Sequence, residues 1–299
     1  MANERGKEID NTHLSIEQAE ARGFIHRDYI AHCLRWTHVA KYLHLQGRYK
    51  TARVIDIGCG KDMPLARMLM TSRLAPEKYL GIEYNKMDVP DMFKNTKFKP
   101  DLISGIDFTK IVPGEVPGGL QYGYSTCFEV LEHVEPIKAI EILQHLPKFL
   151  SENSVSWFST PCWDEKVGAA ANHVNEMTYQ AFGSLLEEMG YKILKHWGTF
   201  ASIKDYKHKL VDSAMNVNMG HFFDKLREYY DSNYLATIFA PLFPAHSRNV
   251  LWETRYVGKL TNEERQFPHI TKIEGRLGSS ERWREITKCV DCVRDYLKT

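Results

Sequence analysis

The chain has 299 residues, a formal net charge of +1 and a hydrophobic fraction of 43%, which suits one large globular domain with an elaborated lid or two small ones. Near-neutral charge advertises neither nucleic acid nor an acidic membrane as partner, although a local basic groove fits inside a neutral total. No run approaches the roughly eighteen apolar residues of a bilayer span. The polar start MANERGKEIDNTH is no signal peptide, so the expected location is cytoplasmic with no membrane partner. Reduced thiols are then expected at Cys33, Cys59, Cys127, Cys162, Cys289 and Cys292. Cys289 and Cys292 form a CxxC without the second pair a zinc site wants, and at that spacing they share one helical face.

In chain order, residues 1–14 carry no packing pattern. Tyr29, Cys33, Trp36, Ala40 and Leu43 then recur at helical spacing between His26 and Leu45. The histidines at 26, 32, 38 and 44 scatter around that helix and read as surface or capping residues. Strands and helices alternate from there. Strand RVIDIG precedes a helix from Leu65 to Ser72; strands KYLGIEYN, PDLISGID and YSTCFEV follow. Helix PIKAIEILQHLPKFL, strand SVSWFSTP, helix NEMTYQAFGSLLEEMG and strands YKILKHWGTFAS and NVLWETRYVGK complete the series. That alternation predicts an α/β fold, a doubly wound and mostly parallel seven-stranded sheet with helices on both faces. The segment 203–248 is too long for a bare loop and reads as a helical insertion rich in aromatics. The tail ends in a helix carrying Trp283, Ile286, Val290, Val293 and Leu297, which packs on its own domain or, alternatively, forms a homodimer contact. The expected domains are a helical segment 1–50 capping the site, a core 51–259, and a helical extension 260–299.

The chemistry starts at VIDIGCG. Glycines at a strand's carboxyl end let a ligand approach the backbone. A dinucleotide site wants G-x-G-x-x-G, but Met63 stands at the third position and Asp56 would oppose a phosphate. Both features suit a cationic ligand without phosphate, such as S-adenosylmethionine (SAM). Glu83, at the tip of the next strand, can accept from ribose hydroxyls; Asp107, after the third, can accept from an adenine amino group with Phe108 against the ring.

With VIDIGCG, GIEYN, GIDF and FEVLEHV in that order, the sequence from about Thr51 to Lys259 resembles the class I, Rossmann-like SAM-dependent methyltransferases. The resemblance implies a last strand that runs antiparallel, SAM as cofactor and S-adenosylhomocysteine as product. It implies cofactor contacts from Asp56, Gly58, Cys59, Gly60, Glu83, Tyr84, Asp107 and Phe108, and from Cys127, Phe128 and Glu129 beside the methyl-transfer region. A departure follows the helix ending LPKFL, where SENS replaces the Pro-Gly-Gly loop of many relatives. The acceptor, a small molecule or a nucleic-acid base or sugar, is left open.

FEVLEHV suggests more. Glu129, Glu132 and His133 fall at i, i+3 and i+4, as on one face of a helical turn, and His173 follows in NHVNEMT. His133 or His173, with Glu129 beside them, is the expected catalytic base, and no metal is expected. The alternative is a metal-dependent O-methyltransferase. This E-x-x-E-H…H pattern resembles small-RNA 3′-end 2′-O-methyltransferases and ubiquinone-type O-methyltransferases, in which it holds a divalent cation. The ligands here would be Glu129, Glu132, His133 and His173. Cys162 in STPCW sits where relatives have a Thr-Pro turn and is not read as a nucleophile. Arg27 or Arg35 could pair with the methionine carboxylate, or simply lie on the helix surface. The rival from another class is a non-catalytic SAM-binding scaffold.

Overall fold

The computed structural model describes residues 27–117, 119, 121–200, 225–226, 228–230, 235 and 238–288. Helix α1 (Arg27–Leu45) buries Trp36, Ala40 and Leu43 of the expected stripe and, beside them, Val39, while Cys33 is half-buried. Arg35 and His38 leave the surface reading. Arg35 is 1% exposed and donates from Nη1 to Asn249 Oδ1 at 3.4 Å. His38 Nε2 lies 3.1 Å from Glu253 Oε2, which also accepts from Trp157 Nε1 at 3.1 Å.

Seven strands follow: β1 (Arg53–Ile57), β2 (Lys78–Glu83), β3 (Asp101–Ser104), β4 (Tyr122–Phe128), β5 (Leu150–Pro161), β6 (Tyr191–Phe200) and β7 (Asn249–Tyr256). They form one sheet in the order β3-β2-β1-β4-β5-β7-β6. The pairs β1–β2, β1–β4, β2–β3 and β4–β5 are parallel. The last strand runs antiparallel: Val257, just past β7, donates its N–H at 2.8 Å to the carbonyl of Gly190, just before β6. This is the doubly wound sheet the alternating pattern predicts.

Helices α2 (Pro64–Thr71), α3 (Pro136–His145) and α4 (Tyr179–Glu188) cover the sheet. Its central strands are therefore buried on both faces, which is why they read as apolar runs. Val54, Ile55, Leu80, Cys127, Trp157 and Phe158 are all 0% exposed. Among the described residues no helix is long and apolar enough to cross a membrane.

Three local expectations are corrected. SENS is part of a strand: β5 begins at Leu150, Asn153 takes φ +61°, and the register against β4 shifts between Tyr122 and Tyr124. Helix α4 starts at Tyr179 rather than at Asn175, because Thr178 caps it by accepting from Ala181 N at 3.2 Å. FEVLEHV is not a helical face. Glu129 takes φ +55°, Val130 φ −120°, and only Leu131–His133 forms a 3-10 turn.

The described residues fall into two compact units, one within Met1–Thr37 and His196–Leu251, the other within His38–Lys195 and Trp252–Thr299. All site residues below belong to the second. In it, the chain beyond β7 is stapled to α4. Glu187 accepts from the backbone of Gln266 (2.7 Å) and Phe267 (3.1 Å), and Glu188 Oε1 lies 2.9 Å from Arg265 Nη2 and 2.8 Å from His269 Nδ1. Helix α5 (Arg282–Ile286) closes the described chain with Trp283 fully buried. The CxxC pair, residues 1–14 and most of the 203–248 insertion lie outside the described residues, as do Val290, Val293 and Leu297 of the expected tail helix.

Candidate active site

The glycine turn after β1 is built by its backbone. Gly58 and Gly60 take φ +69° and +70°, a left-handed conformation that costs glycine nothing. The amides of Gly58 and Cys59 both donate to Ile82 O, at 2.8 and 3.1 Å, which folds the turn over the end of β2. There Glu83 Oε2 accepts from Gly60 N at 3.2 Å, while Oε1 accepts from Asn85 N at 3.1 Å and Asn85 Nδ2 at 3.2 Å. The ribose-binding candidate is thus clamped to the glycine turn before any ligand arrives. Tyr84, beside it, is 74% exposed.

Asp56 lies inside the sheet, 4% exposed, flanked by Gly81 of β2 and Thr126 of β4. Thr126 Oγ1 donates to Oδ1 at 2.6 Å and the Tyr79 hydroxyl donates to Oδ2. Burial outweighs those two hydrogen bonds and, with the nearby charge of Glu83, pushes the carboxyl from 3.8 up to about 6. A raised carboxyl contributes stability that is complete below its unfolded value and is lost as pH rises through its folded one. Relative to Asp56→Asn, the parent should therefore lose on the order of 3 kcal/mol between pH 4 and pH 8. Urea midpoints at several pH values check this; parallel curves for parent and variant would refute it.

Asp107 sits three residues past β3. Its Oδ1 accepts from Thr109 N (2.9 Å) and Thr109 Oγ1 (2.8 Å), and Oδ2 accepts from Lys138 Nζ at 2.9 Å. Partial burial works against ionisation, but the Lys138 bond and the Thr109 bonds prevail and hold the carboxyl below its usual value. Phe108 is 5% exposed, with its ring centroid 5.1 Å from His145 and 5.2 Å from Phe149. Its side chain is packed into the domain, so only its backbone is at hand for a ring ligand. Cys127 is 0% exposed and Phe128 half-buried; burial raises the Cys127 thiol well above its ordinary range, so no nucleophile stands there.

The turn after β4 carries the remaining candidates. It lies directly against the glycine turn, because β1 and β4 are neighbours and a Cβ on Gly58 would collide with Val130. Glu129 is held by Ser159, whose Oγ donates to its Oε1 at 2.7 Å. Glu132, His133 and His173 each offer one ligand atom, and the three atoms lie within 4.8 Å of one another. Glu129 is outside this group because its left-handed backbone turns the chain before the 3-10 turn begins. The Glu132 carboxylate is fully buried. The carbonyl of Glu132 accepts from Val174 N (2.9 Å) and Asn175 N (3.1 Å), bringing the His173 segment to the His133 turn.

The two imidazoles meet edge to face, with centroids 4.7 Å apart. Each has its Nδ1 engaged: in His133 with Asn172 O at 3.2 Å, in His173 with Glu176 Oε1 at 2.6 Å. Both acceptors require a proton on Nδ1, so that in a neutral ring it is Nε2 that carries the lone pair. His133 keeps an exposed face, yet partial loss of water around its ring, then the neighbouring His173, hold its imidazole below the usual value against the pull of Asn172 O, Glu129 and Glu176. Neutral rings are the form that binds a metal or accepts a proton.

Sequence reasoning missed Ser159, Lys138, Asn172 and Glu176. Only Glu176 left a signal, three residues after His173, and it was hidden because NEMT reads as the start of a helix.

A family model described as a methyltransferase domain matches residues 34–196. No curated protein matches the chain. Among solved structures, magnesium protoporphyrin IX methyltransferase from Synechocystis PCC 6803 with bound SAH aligns at 12% identity and a TM-score of 0.50, over 82% of this chain and 89% of that one. The 1,6-didemethyltoxoflavin-N1-methyltransferase of Burkholderia thailandensis aligns at 12% and 0.46, over 81% and 84%. A SAM-dependent methyltransferase from Archaeoglobus fulgidus aligns at 14% and 0.43, over 77% and 94%. At 12% identity the likeness to the Synechocystis enzyme is one of fold.

Proposed function

This chain belongs to the methyltransferase-domain family, and we propose that it transfers the methyl group of SAM to a hydroxyl of an acceptor held by a divalent cation at Glu132, His133 and His173. The observation that carries the reading is the convergence of those three side chains on a turn packed against the glycine turn. The cofactor half is supported by a glycine turn without phosphate-binding features, by Glu83 clamped to Gly60, and by Asp107 beyond the third strand. Two imidazoles and one carboxylate form a donor set that suits a divalent ion, and each ring's Nδ1–H is anchored, as in metal-ligating histidines.

Methyl transfer from a sulfonium is an in-line displacement. The acceptor oxygen forms the new C–O bond as the C–S bond breaks, S-adenosylhomocysteine leaves, and the hydroxyl proton passes to a base or to solvent. The chain's part is to align the two reactants and exclude water. When bound, the cation would orient the acceptor oxygen and lower its pKa. Vicinal hydroxyls, as on a terminal ribose or a catechol, are the acceptor chemistry such a site fits. The test is a screen of such acceptors with labelled SAM. Chelator should abolish transfer, Mg²⁺ or Mn²⁺ should restore it, and SAM affinity should not change. Transfer that survives chelator would overturn the cation.

The second reading needs no metal. It is favoured by His133, which is exposed and keeps its Nε2 lone pair while Nδ1–H donates to Asn172 O. His133 then takes the acceptor proton directly. Under this reading chelator is harmless and His133→Ala is severe, whereas Glu132→Gln is mild.

A further inference from the structure

The segment bearing His173 is neither helix nor sheet, yet it is tied on both sides. On one side Trp163 N donates to Met177 O at 2.8 Å. On the other, Thr178 N donates to Leu277 O (2.9 Å), Ser279 N donates to Glu176 O (2.8 Å) and Glu176 N donates to Ser279 Oγ (2.9 Å). Asn175 adds a buried link: Trp283 Nε1 donates to its Oδ1 at 2.6 Å, and its Nδ2 donates to Leu131 O at 3.0 Å. The chain beyond β7 therefore braces both the His173 segment and the His133 turn.

Glu176 is buried within this brace, at 1% exposure. Its Oε1 accepts from His173 Nδ1 at 2.6 Å and from Ala170 N at 3.0 Å. Its backbone is pinned by Ser279 in both directions, so the carboxylate has a fixed place from which to hold the ring.

We propose that Glu176 is a positioning residue, held by the C-terminal segment Leu277–Ser279, that locks the His173 ring in the Nδ1–H tautomer and so presents Nε2 to the His133–Glu132 group. This rests on the proposed role of His173. A carboxylate behind an imidazole selects the tautomer and fixes the ring plane, whether the front nitrogen meets a metal or a proton. No bond is made or broken at Glu176 itself.

The test uses the full chain with ¹⁵N-labelled histidine, at a pH where the ring is neutral, and Mn²⁺ alone as the metal probe. His173 should show the ¹⁵N shifts of the Nδ1–H tautomer in the unsubstituted protein and in Glu176→Gln, which keeps an acceptor oxygen. Glu176→Ala should give mixed tautomers and bind Mn²⁺ about 10- to 100-fold more weakly, with SAM affinity unchanged. An Nε2–H tautomer in the unsubstituted protein would overturn the proposal, as would Glu176→Ala with unaltered tautomer and Mn²⁺ affinity. If the unsubstituted protein binds no Mn²⁺, the cation reading fails while the tautomer still decides the role of Glu176. Should Glu176→Ala lose SAM binding through misfolding, Ser279→Ala replaces it, with partial loss of the Nδ1–H tautomer expected.

Discussion

Gly58→Ala should destabilise the protein by about 2–5 kcal/mol, from two separable causes. A left-handed φ of +69° costs any residue with a Cβ about 1–2 kcal/mol. The rest comes from overlap, because the new methyl would fall on Val130 Cγ2. Val130→Ala in the same chain should recover the steric part and leave the backbone part. Denaturant midpoints of the single and double variants measure both contributions. A Gly58→Ala protein within about 0.5 kcal/mol of the parent would refute the argument, since that is the scatter of neutral surface changes. Gly60→Ala should be milder: the nearest atom to its Cβ is Pro64 Cδ at 3.8 Å, so only the backbone cost remains. The glycines thus have different duties. Gly58 makes room for the turn after β4, and Gly60 leaves open space beside Glu83.

Glu83→Ala should weaken SAM binding roughly ten- to a hundredfold, as expected for a lost charge-assisted hydrogen bond of about 1.5–3 kcal/mol. The variant also removes the clamp on Gly60 N and the bonds to Asn85, so the glycine turn loses its fixed relation to the end of β2. Glu83→Gln keeps one acceptor and should lie between parent and alanine. Calorimetric titration with SAM is the measurement. An alanine variant with a Kd within twofold of the parent would remove Glu83 from the ribose role.

How far the site could be read in advance depended on how local each signal is. The apolar runs of β1, β2, β4 and β5 and the punctuating glycines express a sheet buried on both faces, a pattern that survives in any parallel α/β chain. The positions of Glu83 and Asp107 at or just past their strands were legible because strand ends are predictable, and Asp56 because it precedes the glycine turn. Their partners were not. Thr126 reaches Asp56 across 70 positions, and Lys138 reaches Asp107 across 31. The helical reading of Glu129, Glu132 and His133 failed for a local reason with a tertiary cause. Glu129 N donates to Ser159 O and its side chain accepts from Ser159 Oγ, so β5 holds it in a conformation no spacing rule anticipates.

By itself the sequence determined the class of fold, the placing of the glycine turn at the first strand's end, and the acids at or just past the ends of the next two strands. Those features rest on periodicity and on residue types whose backbone preferences act within a few positions. Tertiary structure alone decided which of four candidate residues converge, since Glu132 and His133 come from the turn after β4 and His173 from a segment forty residues on. It also decided that the chain beyond β7 packs against the segment that carries His173. Trp283 meets Asn175 across 108 positions, and Ser279 meets Glu176 across 103. Contacts at that separation leave no period in a sequence; they exist because the packing of the chain beyond β7 brings distant segments together, where buried polar groups must find partners.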